Sequence, residues 1–270
     1  MSGTVTALVN GRIADVLSLH DRGLQYGDGL FETIACRAGV ARWLDRHLYR
    51  LALGCERLAI PMPEVDVLRA EIGSLAAGQH AAVIKLLLTR GESQGRGYRP
   101  TGGEQPMRVL SRHPWPPAPT PPFRALLSPV RLGSQPLLAG LKHLNRLEQV
   151  LAQQAARQAC VDEGLQCDSE GYVVSASAAN LFVATGDGWL TPPIRDCGVA
   201  GVLRSLVFEL APRIGLVLRE ERVRPDQVAA APHLCLSNVR LGLQAVHWYE
   251  GRELAVDPHR ARLQELIDVS

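Results

Sequence analysis

The chain has 270 residues, of which 46% are hydrophobic and 21% charged, and its formal net charge is +2 at pH 7. This composition is typical of a folded globular protein with one large or two small domains. It argues against a nucleic-acid-binding surface, because 29 basic residues are interspersed with 27 acidic ones. No apolar run approaches the roughly 20 residues that a membrane span needs, and we expect no secretory signal.

The six cysteines are scattered along the chain without a Cys-x-x-Cys pair. Neither a zinc site nor a disulfide framework is therefore predicted, and no metal is expected. Reduced thiols fit a cytoplasmic protein.

The first region, residues 1–112, is predicted to be a smaller α/β domain. Asn10-Gly11 between short apolar stretches predicts a hairpin turn. Apolar residues at spacings of three and four predict a helix over 45–60, and 65–77 is predicted as a second helix. The apolar run 81–89 predicts a buried strand, and residues 109–110 lie near the end of another.

Residues 113–122 contain six prolines, which predicts a stiff interdomain linker, and a larger C-terminal domain is expected over 123–270. In that domain the pattern predicts strands and helices in mixed order: strand 124–130, helix 145–159, a hairpin turn at 168–171, strands 172–174 and 180–184, helix 203–214 and strand 234–236. Because no regular βαβ repeat is present, the predicted fold class is α+β.

Lys142 and Lys85 are the only lysines in the chain. A desolvated lysine amine can lose its proton and attack a carbonyl to form a Schiff base, whereas a guanidinium stays protonated. Lys142 lies just before the predicted helix, for which Asn145 is a plausible N-cap with Glu148 in the capping-box position. The alternative is an exposed lysine with no chemical role.

The segment 20–33 contains three glycines between Gly23 and Gly29, too many for a regular helix. The backbone there is expected to turn tightly or to approach a ligand. The alternative is a turn between two strands, in which Thr33 is an ordinary strand residue.

Two features could bind an anion. Arg50 lies beside the apolar stripe of its helix, where it could pair with an acid or grip a phosphate. The small residues of 198–204 precede a predicted helix, so their backbone N–H groups could also meet an anion. Combined with Lys142, these features describe a pocket for pyridoxal phosphate.

The glycine-rich stretch 89–98 presents Arg90, Arg96 and Tyr98. Such a loop could close over a carboxylated substrate. The alternative is an exposed linker with solvated arginines.

Several segments together resemble one enzyme family: 128–133, 138–150, 25–33, 96–98 and 179–182. In order and spacing, over nearly the whole chain, they resemble the class IV pyridoxal-phosphate enzymes, the branched-chain aminotransferase superfamily. Within it the chain looks most like the carbon–oxygen lyases that act on 4-amino-4-deoxychorismate. The resemblance implies a two-domain, fold type IV, D-amino-acid-aminotransferase-like structure, with pyridoxal 5′-phosphate in the interdomain cleft, and a homodimer.

The resemblance also implies roles for single residues. Lys142 would bind the cofactor covalently, and Thr33 would assist proton transfer. Further cofactor contacts are expected from Arg50, Ser175, Gly201, Val202, Leu203 and Asn238. Substrate contacts are expected from Tyr26, Arg90, Arg96 and Arg240, and the assignment of individual arginines to the two substrate carboxylates stays open.

The chain departs from the family pattern at two positions. Ser175 stands where the family places a glutamate beside the pyridine nitrogen, and Leu203 stands where aminotransferases have a threonine. A serine hydroxyl would leave the ring a weaker electron sink. This change favours conversion of 4-amino-4-deoxychorismate to 4-aminobenzoate and pyruvate, a step towards folate, because formation of a benzene ring supplies its own driving force.

Two alternatives stay open. One is an aminotransferase of the same fold that acts on D- or branched-chain amino acids. The other is a non-catalytic relative that binds the cofactor without turning over a substrate.

Overall fold

A computed structural model of the chain describes residues 6–93 and 97–270. The chain divides into two compact units: the first comprises Met1–Pro117 and Leu141–Asn145, the second Ala118–Gly140 and Arg146–Ser270. The first division falls inside the stretch predicted as the linker, although His113 and Pro114 still belong to a strand. Among the described residues, no helix has both the length and the apolar character that a membrane crossing requires.

In its described residues, 6–93, 97–117 and 141–145, the first unit contains one sheet and three helices. Its elements are β1 Thr6–Val9, β2 Arg12–Ile13, α1 Arg22–Tyr26, β3 Gly29–Arg37, β4 Val40–Ala41, α2 Leu44–Leu58, α3 Val65–Ala76, β5 Ala81–Thr89 and β6 Met107–Pro114. The strand order is β2-β1-β6-β5-β3-β4, with every pair antiparallel. The predicted hairpin at Asn10-Gly11, both longer helices and the buried strand β5 are confirmed.

Helix α1 corrects one prediction, because its five residues include Gly23. The Asp21 side chain accepts a hydrogen bond from the backbone N–H of Leu24 at 3.1 Å, and Gly27 ends the helix with a φ of 67°. A Cβ on Gly23 would lie 2.2 Å from the Thr89 side chain. Gly23 therefore permits close packing on β5, which outweighs its low helix propensity.

The second unit mixes parallel and antiparallel strand pairs. Its elements are β7 Arg124–Leu127, α4 Leu147–Gln158, β8 Glu163–Cys167, β9 Val173–Ala176, β10 Asn180–Thr185, β11 Gly188–Thr191, α5 Val202–Leu210, a 3₁₀ turn Ala211–Ile214, β12 Leu218–Glu220, α6 Pro225–Ala230, β13 Leu234–Asn238, β14 Gly242–Val246, β15 Trp248–Tyr249, β16 Arg252–Glu253 and α7 Pro258–Asp268. The principal path is β12-β11-β10-β9-β8-β7-β15-β16, and β13 joins β10 to β14. The predicted α+β class is confirmed.

The start of α4 differs from the prediction. The helix begins at Leu147, and its N-cap residue, Arg146, makes no side-chain capping bond. Asn145 instead donates its side-chain N–H to the Gly27 carbonyl at 3.1 Å, and Glu148 accepts from the Gly133 backbone N–H at 2.8 Å. Both polar side chains therefore tie neighbouring segments, and the predicted capping box does not form.

Candidate active site

The segment that carries Lys142 lies along β3 within the first unit. The Lys142 carbonyl accepts from the Phe31 backbone N–H at 2.8 Å, and the Leu144 N–H donates to the Gly29 carbonyl at 3.0 Å. The Lys142 Nζ atom lies 4.3 Å from the centre of the Phe31 ring. Two backbone hydrogen bonds thus hold the segment that carries the lysine against the nine-residue strand β3, which is a rigid base for a reactive amine.

Thr33 and Lys85 occupy the same part of the sheet. The two residues are Cα partners in the antiparallel register of β3 and β5, and both are half-buried. The Lys85 Nζ atom lies 5.6 Å from the centre of the Phe31 ring. Since alternate residues of a strand share one face, Phe31 and Thr33 point to the same side of the sheet. Thr33 therefore shares a face of the sheet with Phe31, whose ring lies near the amines of both lysines.

Arg50 belongs to a buried cluster that the sequence did not reveal. Its guanidinium contacts both carboxylate oxygens of Glu32, with Nε–Oε1 2.8 Å and Nη2–Oε2 2.5 Å. His47 Nδ1 lies 2.6 Å from the same carboxylate. The available signal was the spacing of His47 and Arg50, which puts them on one helix face. Their partner, Glu32 on β3, lies outside this helix, so no local spacing in the sequence indicated the contact.

Burial and neighbouring charges shift the pKa values of Glu32 and His47 in this cluster. Burial alone would raise the pKa of Glu32, but the charge of Arg50 and the hydrogen bond from His47 outweigh it and lower that pKa to about 2. Burial lowers the pKa of His47. At neutral pH the cluster therefore contains an ionised carboxylate, a guanidinium and a neutral imidazole.

The N-terminus of α5 suits an anion. Gly201 is its N-cap residue and supplies no capping side chain, and the first turn contains no acid. A Cβ on Gly201 would lie 2.0 Å from Asn180 Oδ1, so the close packing requires glycine. Val202 and Leu203 are the first two helical residues, and backbone N–H groups at such a position favour a phosphate. A hydroxyl at position 203 is not needed for this interaction.

Asn238 and Arg240 lie at the turn between β13 and β14. The Asn238 side chain accepts from the backbone N–H groups of Arg240 at 3.0 Å and Leu241 at 2.8 Å, and it donates to the Ala178 carbonyl at 3.0 Å. Asn238 thus shapes the turn. The charge of Arg240 also acts to lower the pKa of Glu163 within the second unit, although burial raises that pKa overall.

Ser175 is 8% exposed and lies on β9, opposite Gln166 of β8 and Asn180 of β10. The carboxylate of Glu163 accepts from the Ser177 hydroxyl at 2.5 Å and from its backbone N–H at 3.1 Å. Both of these hydrogen bonds hold the Glu163 carboxylate at the turn after β9. Position 175 itself presents a neutral hydroxyl.

The predicted substrate-binding loop is only partly described, because Arg96 lies outside the described residues. Tyr26 and Tyr98 pack edge to face with ring centres 5.5 Å apart. Arg22, not predicted, donates to the carbonyls of Gly97 at 3.3 Å and Tyr98 at 2.7 Å. This arginine anchors the end of the loop to α1.

Arg90 is held in a structural cluster. Its guanidinium donates to both carboxylate oxygens of Asp28, at 2.8 and 3.1 Å, and to the carbonyls of Leu58 and Ala59. Two of these bonds join Arg90, which follows β5, to the end of α2, and the four together occupy most of the five N–H donors of the guanidinium. The geometry gives no support to Arg90 as a substrate ligand.

Comparison with known proteins gives a consistent result. The family model "Amino-transferase class IV" matches residues 29–249. An aminodeoxychorismate lyase of Vibrio harveyi is 31% identical over 253 residues, covering 92% of this chain and 93% of the relative. A crystal structure of 4-amino-4-deoxychorismate lyase from Pseudomonas aeruginosa superimposes with a TM-score of 0.91 at 42% identity, covering 98% of each chain. A putative branched-chain-amino-acid aminotransferase of Methanocaldococcus jannaschii is 30% identical, covering 90% of this chain and 88% of that protein.

Proposed function

The chain belongs to the class IV aminotransferase family, and from that membership we propose that it binds pyridoxal 5′-phosphate and converts 4-amino-4-deoxychorismate to 4-aminobenzoate and pyruvate. The observation that carries the proposal is the similarity to the Pseudomonas aeruginosa lyase over 98% of both chains. The geometry around Lys142 adds support, since its amine lies 4.3 Å from the centre of the Phe31 ring and Phe31 shares a face of the first sheet with the hydroxyl-bearing Thr33.

The residues present fit the cofactor. When bound, pyridoxal phosphate supplies an electron-withdrawing ring that acidifies the carbon bearing the substrate's amine. Lys142 would bind its aldehyde carbon. Arg50 and the backbone N–H groups of Val202 and Leu203 would bind its phosphate, and Asn238 would support the turn beside it. Ser175 would face the pyridine nitrogen with a neutral hydroxyl.

Two side chains would move protons. The Lys142 amine would take the proton from the amine-bearing carbon of the substrate. Thr33 gives a proton to the ether oxygen as the enolpyruvyl group departs, and the released enol becomes pyruvate. The substrate's two carboxylates would be bound by residues including Arg96, Arg240 and Tyr26.

The direct test is product formation. Purified protein with pyridoxal phosphate is incubated with chorismate, glutamine and a glutamine-dependent aminating enzyme. We expect 4-aminobenzoate and pyruvate in equal amounts, and neither when the protein is omitted. Failure to form either product, together with amino-group transfer from an amino acid to 2-oxoglutarate, would establish the aminotransferase alternative that the Methanocaldococcus jannaschii relative represents.

Ser175 gives a prediction about the cofactor. Ser175→Glu would place a carboxylate beside the pyridine nitrogen and hold it protonated, so the cofactor absorption band should shift. Side transamination of D-alanine should also rise, by about tenfold or more, since a stabilisation of about 1.4 kcal/mol already gives that factor. Ser175→Gln, which adds bulk without charge, is the matched control. An unchanged spectrum and unchanged transamination in Ser175→Glu would show that residue 175 does not face the nitrogen.

A homodimer is also part of the proposal. Four apolar side chains, Leu137, Leu147, Val150 and Leu151, are 73%, 77%, 58% and 51% exposed. Three of them form a stripe on α4, and a second copy of the chain would cover it. Light scattering should give twice the 29.3 kDa of one chain. Val150→Glu with Leu151→Glu should lower the mass towards one chain, whereas a monomeric wild-type protein would contradict this assignment.

The six cysteines are all free of disulfides, and five of them are buried. Reduced thiols suit a reducing compartment, so we propose a cytoplasmic location.

A further inference from the structure

We propose that Glu32 is a positioning residue that acts as an internal counter-anion and holds Arg50 in place until a phosphate reaches it. The inference rests on the proposed function, because it takes the ligand of Arg50 to be the phosphate of pyridoxal phosphate. It assigns a role to Glu32 and His47 in preparing the cofactor site.

The contacts define a fixed cluster within the first unit. Glu32 projects from β3 and its side chain is 1% exposed, while that of Arg50 on α2 is 12% exposed. The carboxylate receives the Arg50 Nε–H and one Nη2–H side by side, at 2.8 and 2.5 Å. Such a paired contact fixes the plane of the guanidinium as well as its position.

His47 completes the support of the carboxylate. Because Glu32 is ionised, it only accepts hydrogen bonds, so the proton lies on His47 Nδ1, 2.6 Å from the carboxylate. His47 Nε2 is buried and has no hydrogen-bond partner among the described residues. The imidazole is therefore a neutral donor that fixes Glu32 without adding charge to the cluster.

The arrangement has a consequence for charge balance. The contact with Glu32 uses the Nε side of the guanidinium, and a phosphate would meet its outer Nη edge. Without phosphate, the Glu32 carboxylate balances the charge of this part-buried cation. Loss of one partner from a buried ion pair leaves an uncompensated charge, which is strongly destabilising. A bound phosphate dianion would compensate for the loss, so Glu32 matters most in the cofactor-free protein.

The test compares cofactor-free and cofactor-loaded protein. In Glu32→Gln, which keeps the size of the side chain and removes its charge, we expect the cofactor-free melting temperature to fall by about 5–10 °C. The melting temperature of the cofactor-loaded variant should fall by less than half as much. The rise in melting temperature on adding pyridoxal phosphate is therefore larger in Glu32→Gln than in the wild type. Pyridoxal, which lacks the phosphate, should not produce the larger rise.

The double variant Glu32→Gln with Arg50→Gln is the matched control, because it removes both charges. Without cofactor it should melt at a higher temperature than Glu32→Gln alone. The proposal would be overturned if Glu32→Gln lowered the melting temperature equally with and without cofactor. It would also be overturned if the decrease in the double variant were the sum of the decreases in the two single variants. If Glu32→Gln does not fold, failure of the double variant to restore folding would also overturn it. A wild-type protein that shows no response to pyridoxal phosphate would instead refute the proposed function.

Discussion

Lys142→Ala is expected to lose about 10⁴-fold or more in the rate of pyruvate formation, because the same amine binds the cofactor and carries the proton. The Lys142 carbonyl accepts a hydrogen bond from the Phe31 backbone N–H, which does not depend on the side chain, so the substitution should leave the first unit folded. The measurement is single-turnover pyruvate release with excess enzyme. Unchanged turnover in Lys142→Ala would eliminate the mechanism.

Lys85→Ala is the matched control for the loss of an amine. Lys85 is the other lysine of the chain and also lies near the Phe31 ring, with its Nζ atom 5.6 Å from the ring centre. If the cofactor bonds to Lys142, Lys85→Ala keeps the cofactor absorption band near the boundary of the visible and ultraviolet ranges, and Lys142→Ala loses it. The reverse pattern would transfer the role to Lys85.

Thr33→Ala carries the second large expected effect, a fall of about 10²- to 10³-fold in kcat, which is within the range of a positioned proton donor. Cofactor binding should be unchanged, because β3 positions Thr33 and the substitution does not alter the pairing of β3 with β5. Thr33→Ser retains a hydroxyl and should recover most of the rate, whereas Thr33→Val retains the shape alone. A Thr33→Val protein as fast as the wild type would remove Thr33 from proton transfer.

Local patterns were enough to predict much of the fold. The strand at Ala81–Thr89 was predicted with its bounds, because an apolar run in a half-buried strand is a direct signal. Helix α7 was not predicted, although Asp257 and Pro258 form an ordinary helix start and Leu263 and Ile267 are buried one turn apart. Its signal was present in the sequence and was missed.

Contacts between distant segments could not be predicted in this way. Asn145 has the residue type of an N-cap, but its side chain bonds to Gly27, which is more than 100 residues away in the chain. Arg90 has the residue type of a carboxylate ligand, but Asp28 and two helix-end carbonyls occupy it. Residue type indicates which bonds a side chain can make, and only the tertiary structure decides with which partner.

The most direct test of the account is to find the amine that bonds to the cofactor. Loaded protein is reduced with borohydride, digested, and analysed by mass spectrometry for a phosphopyridoxyl group. The chain has two lysines, so the result distinguishes between two side chains. The account predicts the label on Lys142 and an unmodified Lys85. A label on Lys85, or on neither lysine in a protein that forms 4-aminobenzoate, would contradict it.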